Sequence, residues 1–427
     1  MSDSNISEAP ELKHHTTEER RRELMAAGAS AHKHLDKIKK RLKIPNLTSI
    51  ETTVEPLAQI PGCIETFRIL GLQVGANQRM QKQIFERWSD GVNCYQETYT
   101  MDFQFTGYGA YCLSFERDAG NTNLFRYFFR DIAMYGVNFH RTMLFVNENL
   151  ENSNTANLHR LLQDGNQFTA MPNTAYLTNL DKLVAEAKNR GIVVEVCLFM
   201  HHSVIHDHAT TPAPVVLTGT PHQCYKTFYN TNSAYIPMQQ NLIDGVVTKL
   251  LPHWNVVYEI GNELRTPQPG TDYNNTHLTN WIDWAAARIR SKDGKHLITT
   301  STGTENEASV NSLARIQFCS FHQGQWRGNI DGACLRVDNN YNHKHLVIDD
   351  DGGTRNIGEV TPWPKQALDS RGGCRASFNH KGISPTGSYN SNWINATPPA
   401  GESNPKAALQ AIQSGRVNST SPCAREY

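Results

Sequence analysis

Glu263 ends the run Asn255-Val256-Val257-Tyr258-Glu259-Ile260-Gly261-Asn262-Glu263, in which a mostly apolar stretch gives way to an amide and a carboxyl. Such a run reads as a buried strand with its last two side chains at the rim. A carboxyl partly desolvated there has its pKa raised toward neutrality and can protonate a leaving-group oxygen, while the neighbouring amide of Asn262 can hydrogen-bond a substrate hydroxyl. A second acidic cluster, Asp349-Asp350-Asp351, follows Leu346-Val347-Ile348 at the end of another apolar run. The other runs contain or precede polar groups of the same kind: Arg141, the pair His201 and His202, and His322 with Trp326. Turn chemistry alone calls for Gly, Asn and Ser at such places. Two acidic clusters and two histidine clusters instead point to a reactive rim.

Competing chemistries fit less well. Met200-His201-His202-Ser203-Val204-Ile205-His206-Asp207-His208, with His222 further on, has the nitrogen ligands that suit zinc or another transition metal. However, His201 and His202 point to opposite faces on a strand, and no pair in the loop has clean ligand spacing. Asp349 to Asp351 could hold calcium or magnesium, but they lack the alternating acidic spacing of a calcium loop. No G-x-S-x-G elbow supports a serine hydrolase. The expectation is therefore a site with no metal and no cofactor.

The elements that position these groups alternate along the chain. Strands are expected at Gly107 to Phe115, Val137 to Val146, Ile192 to Met200, Asn255 to Ile260, His296 to Thr300, Ile316 to Phe321 and His345 to Ile348, with a weak eighth at Cys374 to Phe378. Between them the 3.6-residue period marks helices at Asn123 to Tyr135, Leu177 to Asn189 (stopped by Gly191), Gln240 to Leu251 and Leu278 to Arg290, with a late helix at Pro405 to Gln413. Seven or eight such units match an α/β fold, a (β/α)8 TIM barrel, whose reactive groups lie at the C-terminal ends of the strands. A doubly wound open sheet is the runner-up, but no G-x-G-x-x-G turn follows the first strand.

The segment from Pro252 to Asn262-Glu263 resembles the acid/base motif of the cellulase-like glycoside hydrolases, whose barrels carry one carboxyl after strand four and another after strand seven. The likeness runs from about Phe103 to Gly352. Tyr108 to Phe115 resembles the family's first strand, and Gly136-Val137-Asn138-Phe139-His140-Arg141 its second, in which an arginine supports the carboxylates. Leu198 to His201 resembles the third strand, ending in a substrate-side histidine, and Ser320-Phe321-His322 the sixth. In Leu346-Val347-Ile348-Asp349-Asp350-Asp351-Gly352, Asp350 takes the place of the family's glutamate nucleophile.

The resemblance implies hydrolysis of a β-linked oligo- or polysaccharide, with Glu263 as acid/base and Asp350 as nucleophile or base. It further implies support from Arg141 and Asn262, and substrate contacts from His201, His322 and Trp326. Flat rings stack on sugar faces, and Trp326 and Trp363 both fall on the rim side. The shorter aspartate retracts its carboxyl by about 1.5 Å, so the alternative is a barrel that has lost turnover and serves as a binding or assembly subunit.

Whole-chain composition narrows the remaining classes. The 427 residues balance 41 Lys and Arg against 41 Asp and Glu, with 38% hydrophobic content. That excludes disorder and gives no long-range field for nucleic acid or anionic lipid. The longest apolar stretch, Gly191 to Met200, is too short to cross a bilayer and carries Glu195. The N-terminus lacks a basic leader and apolar core, so the expectation is a cytoplasmic or non-classically exported protein. Nine scattered cysteines without a C-x-x-C pair are expected to be reduced packing residues.

Residues 17–43 carry a seam (Leu24, Gly28, Ala31, Leu35, Ile38, Leu42) on an otherwise basic helix, an amphipathic arm that packs on its own domain or serves a partner or second copy. With a second helix expected at Asn77 to Trp88, the chain divides into a helical N-terminal region, 1–100, and a barrel, 101–427.

Overall fold

The computed structural model describes residues 51–56, 66–76, 78–89, 93–110, 124–145, 161–163, 165–200, 217, 221–264, 274–301, 307–322, 345–350, 365, 368–369, 373–378, 394 and 405–420. Of the chain's two units, Met1–Ile50 lies outside the described residues and Glu51–Tyr427 contains all of them. The amphipathic arm expected at 17–43 lies outside the described residues.

Four strands open the second unit: β1 (Glu51–Pro56), β2 (Thr66–Val74), β3 (Met80–Ser89) and β4 (Asn93–Phe103), paired antiparallel in the order β1-β4-β3-β2. This corrects the helix expected at Asn77 to Trp88 and with it the helical reading of residues 51–100. Met80 to Arg87 is rich in Met, Gln, Lys, Glu and Arg, which favour helix by intrinsic propensity. Pairing on both sides overrides that preference, with Ile84 opposite both Ile69 and Tyr99. β3 buries Met80 and Ile84, together with Gln81 and Lys82 between them.

Eight strands follow, all parallel: β5 (Thr106–Ala110), β6 (Phe139–Met143), β7 (Val193–Met200), β8 (Val256–Asn262), β9 (Leu297–Thr299), β10 (Phe318–His322), β11 (His345–Asp350) and β12 (Gly373–Phe378). Their order, β10-β11-β12-β5-β6-β7-β8-β9, leaves β9 and β10 at the two ends. Those ends meet. The Gln317 N–H donates to Ile298 O at 2.9 Å, the Thr299 hydroxyl donates to Phe318 O at 2.8 Å, and Ser301 bridges Ser320 in parallel. The sheet thus closes on itself as the expected (β/α)8 barrel, and β12 confirms the weak eighth strand.

Helices wrap the barrel with the faces their periodicity dictates. The helix Thr174–Lys188 buries Tyr176, Leu180, Leu183, Val184 and Ala187, starts at Asn173 (whose side chain accepts the Ala175 N–H) and is followed by Gly191 at φ +69°. That left-handed turn lets the Ile192 N–H reach back to Ala187 O at 3.0 Å, and glycine adopts it without steric cost. Helices Ile236–Leu250 and Asn275–Lys292 pack together through Trp281, whose indole N–H donates to the Gln239 side chain at 2.9 Å. Trp281 is fully buried and Trp254 nearly so, while Trp284 packs on the core partly buried.

Inside the barrel, alternate residues of each strand point inward. The lower layer, Phe139, Val193, Val257, Leu297 and Phe318, is apolar and shares one core with Phe105, Phe103, Met80 and Leu72. The antiparallel sheet therefore plugs the N-terminal end of the barrel and leaves the C-terminal rim to the chemistry. Cys197, Cys224 and Cys319 are buried free thiols, as expected. Cys94, by contrast, is disulfide-bonded, which corrects the reading of uniformly reduced cysteines. Pairing depends on Cα atoms coming within about 7 Å, which spacing along the chain does not report.

Candidate active site

One inward step above the apolar layer, the barrel interior becomes charged. Arg141 on β6 lies two residues beyond Phe139, Glu195 on β7 two beyond Val193, and Glu259 on β8 two beyond Val257. All three side chains are excluded from solvent. Arg141 grips Glu259 with two N–H groups on one edge of its guanidinium, Nε to Oε2 at 2.7 Å and Nη2 to Oε1 at 2.5 Å, and lies 3.9 Å from Glu195. A bidentate pair of this kind is the strong form of the ion pair, and its planar fork fixes both partners.

The same guanidinium orients Asn262. Arg141 Nη2 donates to Asn262 Oδ1 at 2.7 Å. Because a guanidinium only donates, this assigns the amide: Oδ1 faces Arg141 and Nδ2 is the donor end. Arg141, expected from sequence to support the site, and Asn262, expected beside the acid, are thus in direct contact.

Glu263 follows at the end of β8, partly buried, with φ at +49°. Its N–H donates to the Ser301 hydroxyl at 3.0 Å, and the next N–H, of Leu264, donates to Ser301 O at 3.1 Å. The left-handed backbone ends the strand and turns the chain at the rim. Leu264 folds back over Gly261, where a Cβ would lie 2.8 Å from its side chain.

His322 and Asp350 are the last residues of β10 and β11, with backbone registers opposite Asp349 and Ala376 respectively. Parallel strands put their C-terminal ends on one side, so Asp350, His322 and Glu263 share a rim. The side chains of His322 and Asp350 are not among the described groups. His201, Trp326 and Trp363 lie outside the described residues, as do the histidine loop after β7 and Asp351. Among the described residues no group of three His, Cys, Asp or Glu is arranged to hold a metal ion. No described helix is long and apolar enough to cross a membrane.

Sequence reasoning gave no role to Glu195, Glu259 or Ser301. A signal was present for the first two, since each interrupts a valine-rich run that the fold buries on both faces, where a charge needs a partner. Ser301 had none, because a serine after a short strand is ordinary turn chemistry. Near the charged layer, burial and the neighbouring Glu259 push the Cys197 thiol well up, leaving it protonated and inert.

Comparison with known proteins agrees with this architecture. In structure the chain is similar to the endo-1,4-β-mannanase of Rhizomucor miehei (TM-score 0.54, 16% identity, 81% of this chain and 99% of that one). It is also similar to the endo-β-1,4-mannanase of Thermotoga petrophila (TM-score 0.51, 12% identity, 74% and 77%). A third likeness is to a glycoside hydrolase family 5 protein of Bacteroides vulgatus (TM-score 0.51, 13% identity, 82% and 70%). No curated protein matches in sequence. The model of the cellulase family, glycosyl hydrolase family 5, matches residues 99–349, which run from before β5 through Glu263 and into β11, ending one residue short of Asp350. The chain belongs to the cellulase family of glycoside hydrolases, glycosyl hydrolase family 5.

Proposed function

We propose that the protein hydrolyses a β-linked oligo- or polysaccharide, with Glu263 as general acid/base and Asp350 as the second carboxylate. The observation that carries this reading is the pair of acidic strand ends, β8 with Asn262-Glu263 and β11 with Asp349-Asp350, on one rim of a closed barrel. The Arg141–Glu259 pair braces that rim from beneath.

In the retaining form of the reaction, Glu263 gives its proton to the departing glycosidic oxygen while Asp350 attacks the anomeric carbon. Water then releases the glycosyl-enzyme, with Glu263 acting as base. Asn262 donates from Nδ2 to a sugar hydroxyl. His201, His322 and Trp326 complete the substrate contacts. Retention needs carboxyls about 5 to 5.5 Å apart, whereas about 6.5 Å or more admits a water and inverts the product. The anomer formed first, read by NMR, distinguishes the two and should be the retained one.

The β-mannan-degrading enzymes that share the fold make β-1,4-mannan the first substrate to try, beside cello-oligosaccharides and aryl β-glycosides. Glu263→Gln should lose at least about a hundredfold in kcat/KM, the usual worth of acid/base catalysis. Equal rates for wild type and variant across the panel would end the enzymatic reading. Aspartate in place of the usual glutamate on β11 favours a second reading, a barrel that binds sugar without cleaving it. Saturable binding of the same sugars with no product from either protein would establish it.

The disulfide at Cys94 supports passage through an oxidising compartment, where polymeric substrate is within reach. Secretion of the disulfide-bonded form, detected by mobility with and without reductant, tests this.

A further inference from the structure

We propose that Ser301 is a positioning residue for the acid/base carboxyl, acting by holding Glu263 in its left-handed backbone conformation; the proposal rests on the catalytic reading above. Glu263 sits at φ +49°, a region that residues with a Cβ avoid unless the surroundings impose it. The surroundings here converge on one fully buried serine. The Ser301 N–H donates to Gly261 O at 3.1 Å, Ser301 O accepts the Leu264 N–H at 3.1 Å, and Ser301 Oγ accepts the Glu263 N–H at 3.0 Å. Both amide protons of the turn and the carbonyl that begins it are therefore satisfied by a single residue from another strand end.

The first two bonds are main-chain and would form with any residue at 301. Only the third needs the hydroxyl, and it falls on the residue that carries the carboxyl. The same Oγ lies 3.5 Å from Asn262 Oδ1 and 3.5 Å from Gly261 O, so its one proton has an acceptor on the rim as well. Ser301 is anchored independently of β8 by its bridge to Ser320 on β10. Without the hydroxyl, the Glu263 N–H at this closed position loses its acceptor, and the turn gains a reason to relax toward negative φ.

The test compares two leaving groups. An unactivated oligosaccharide that the wild type cleaves needs its leaving oxygen protonated, whereas the dinitrophenyl glycoside of the same sugar departs as a stable anion without a proton. Ser301→Ala should lower kcat/KM on the oligosaccharide by about tenfold or more, the effect of one hydrogen bond to a critical group. On the dinitrophenyl glycoside it should change kcat/KM by less than about twofold. Ser301→Thr, which keeps an acceptor oxygen, should restore most of the oligosaccharide activity. Should Ser301→Ala not fold, Ser301→Cys is of similar size with a much weaker acceptor and should show the same selective loss.

Equal losses on both substrates would reduce Ser301 to a structural residue and overturn the proposal. So would an unchanged Ser301→Ala beside a Glu263→Gln that is crippled on the oligosaccharide, leaving the catalytic reading intact. If Glu263→Gln itself retains full oligosaccharide activity, the catalytic reading fails and the proposal falls with it.

Discussion

At the scale of single residues, the decisive feature is a guanidinium buried among carboxylates. Arg141 has no exposure and touches Glu259 and Asn262, with Glu195 close by. Removing it strands charges that burial cannot tolerate, so Arg141→Met should destabilise the fold by about 3–5 kcal/mol in urea denaturation. Arg141→Lys keeps the charge but loses the fork and should fall between the two. Asn262→Ala removes the donor oriented by Arg141 and should lower kcat/KM by about tenfold, with a stability loss of about 1–3 kcal/mol for the acceptor taken from Arg141, less than that of Arg141→Met. A stability loss matching that of Arg141→Met would make Asn262 structural instead. Asn262 and Glu263 were legible because two polar groups at the end of an apolar run have no packing role. Glu195 and Glu259 were visible only as breaks in their strands, since their partner Arg141 is more than fifty residues away from each.

At the scale of elements, the turn between helix Asn275–Lys292 and β9 is held by Asp293. Its carboxylate accepts the Lys295 N–H at 2.9 Å and the His296 N–H at 3.1 Å, and it hydrogen-bonds the His296 ring. Burial disfavours the charged carboxyl, but the His296 ring and the two amides outweigh it and hold its pKa at about 2, below the ordinary 3.8. A carboxylate depressed by folding contributes stability that is complete above its unfolded pKa and is lost as the pH falls through its folded value. Wild type should therefore shed about 2 kcal/mol between about pH 4 and pH 2. Asp293→Asn should lack that component and be less stable than wild type at pH 7, with activity unchanged because this turn precedes β9, at the N-terminal end of the barrel. Identical acid profiles for the two proteins would contradict the assignment. The barrel's helices and strands were mostly legible from period and punctuation, Gly191 above all. β3 was not, because its residues favour helix on their own and only β2 and β4 make them a strand.

At the scale of the whole molecule, one apolar core joins the antiparallel sheet to the barrel floor. Phe103, Phe105 and Met80 meet Phe139, Val257 and Phe318 there, with the Phe105 and Phe139 rings stacked at 4.0 Å. Phe105→Ala should cost about 3–5 kcal/mol. Sheet and barrel should still unfold in one transition by circular dichroism and tryptophan fluorescence; two separate transitions would show the sheet to be an independent domain. What the sequence determined by itself was local: the alternation of strand and helix, the helix ends, and the chemical type of the strand-end residues. These follow from each segment's own periodicity, capping and charge. The tertiary structure alone decided which distant residues meet. Closure through Ser301 and Ser320, the grip of Arg141 on Glu259 and the left-handed Glu263 beneath a serine hydroxyl all join residues that are not neighbours in the chain, and only packing in three dimensions selects such partners.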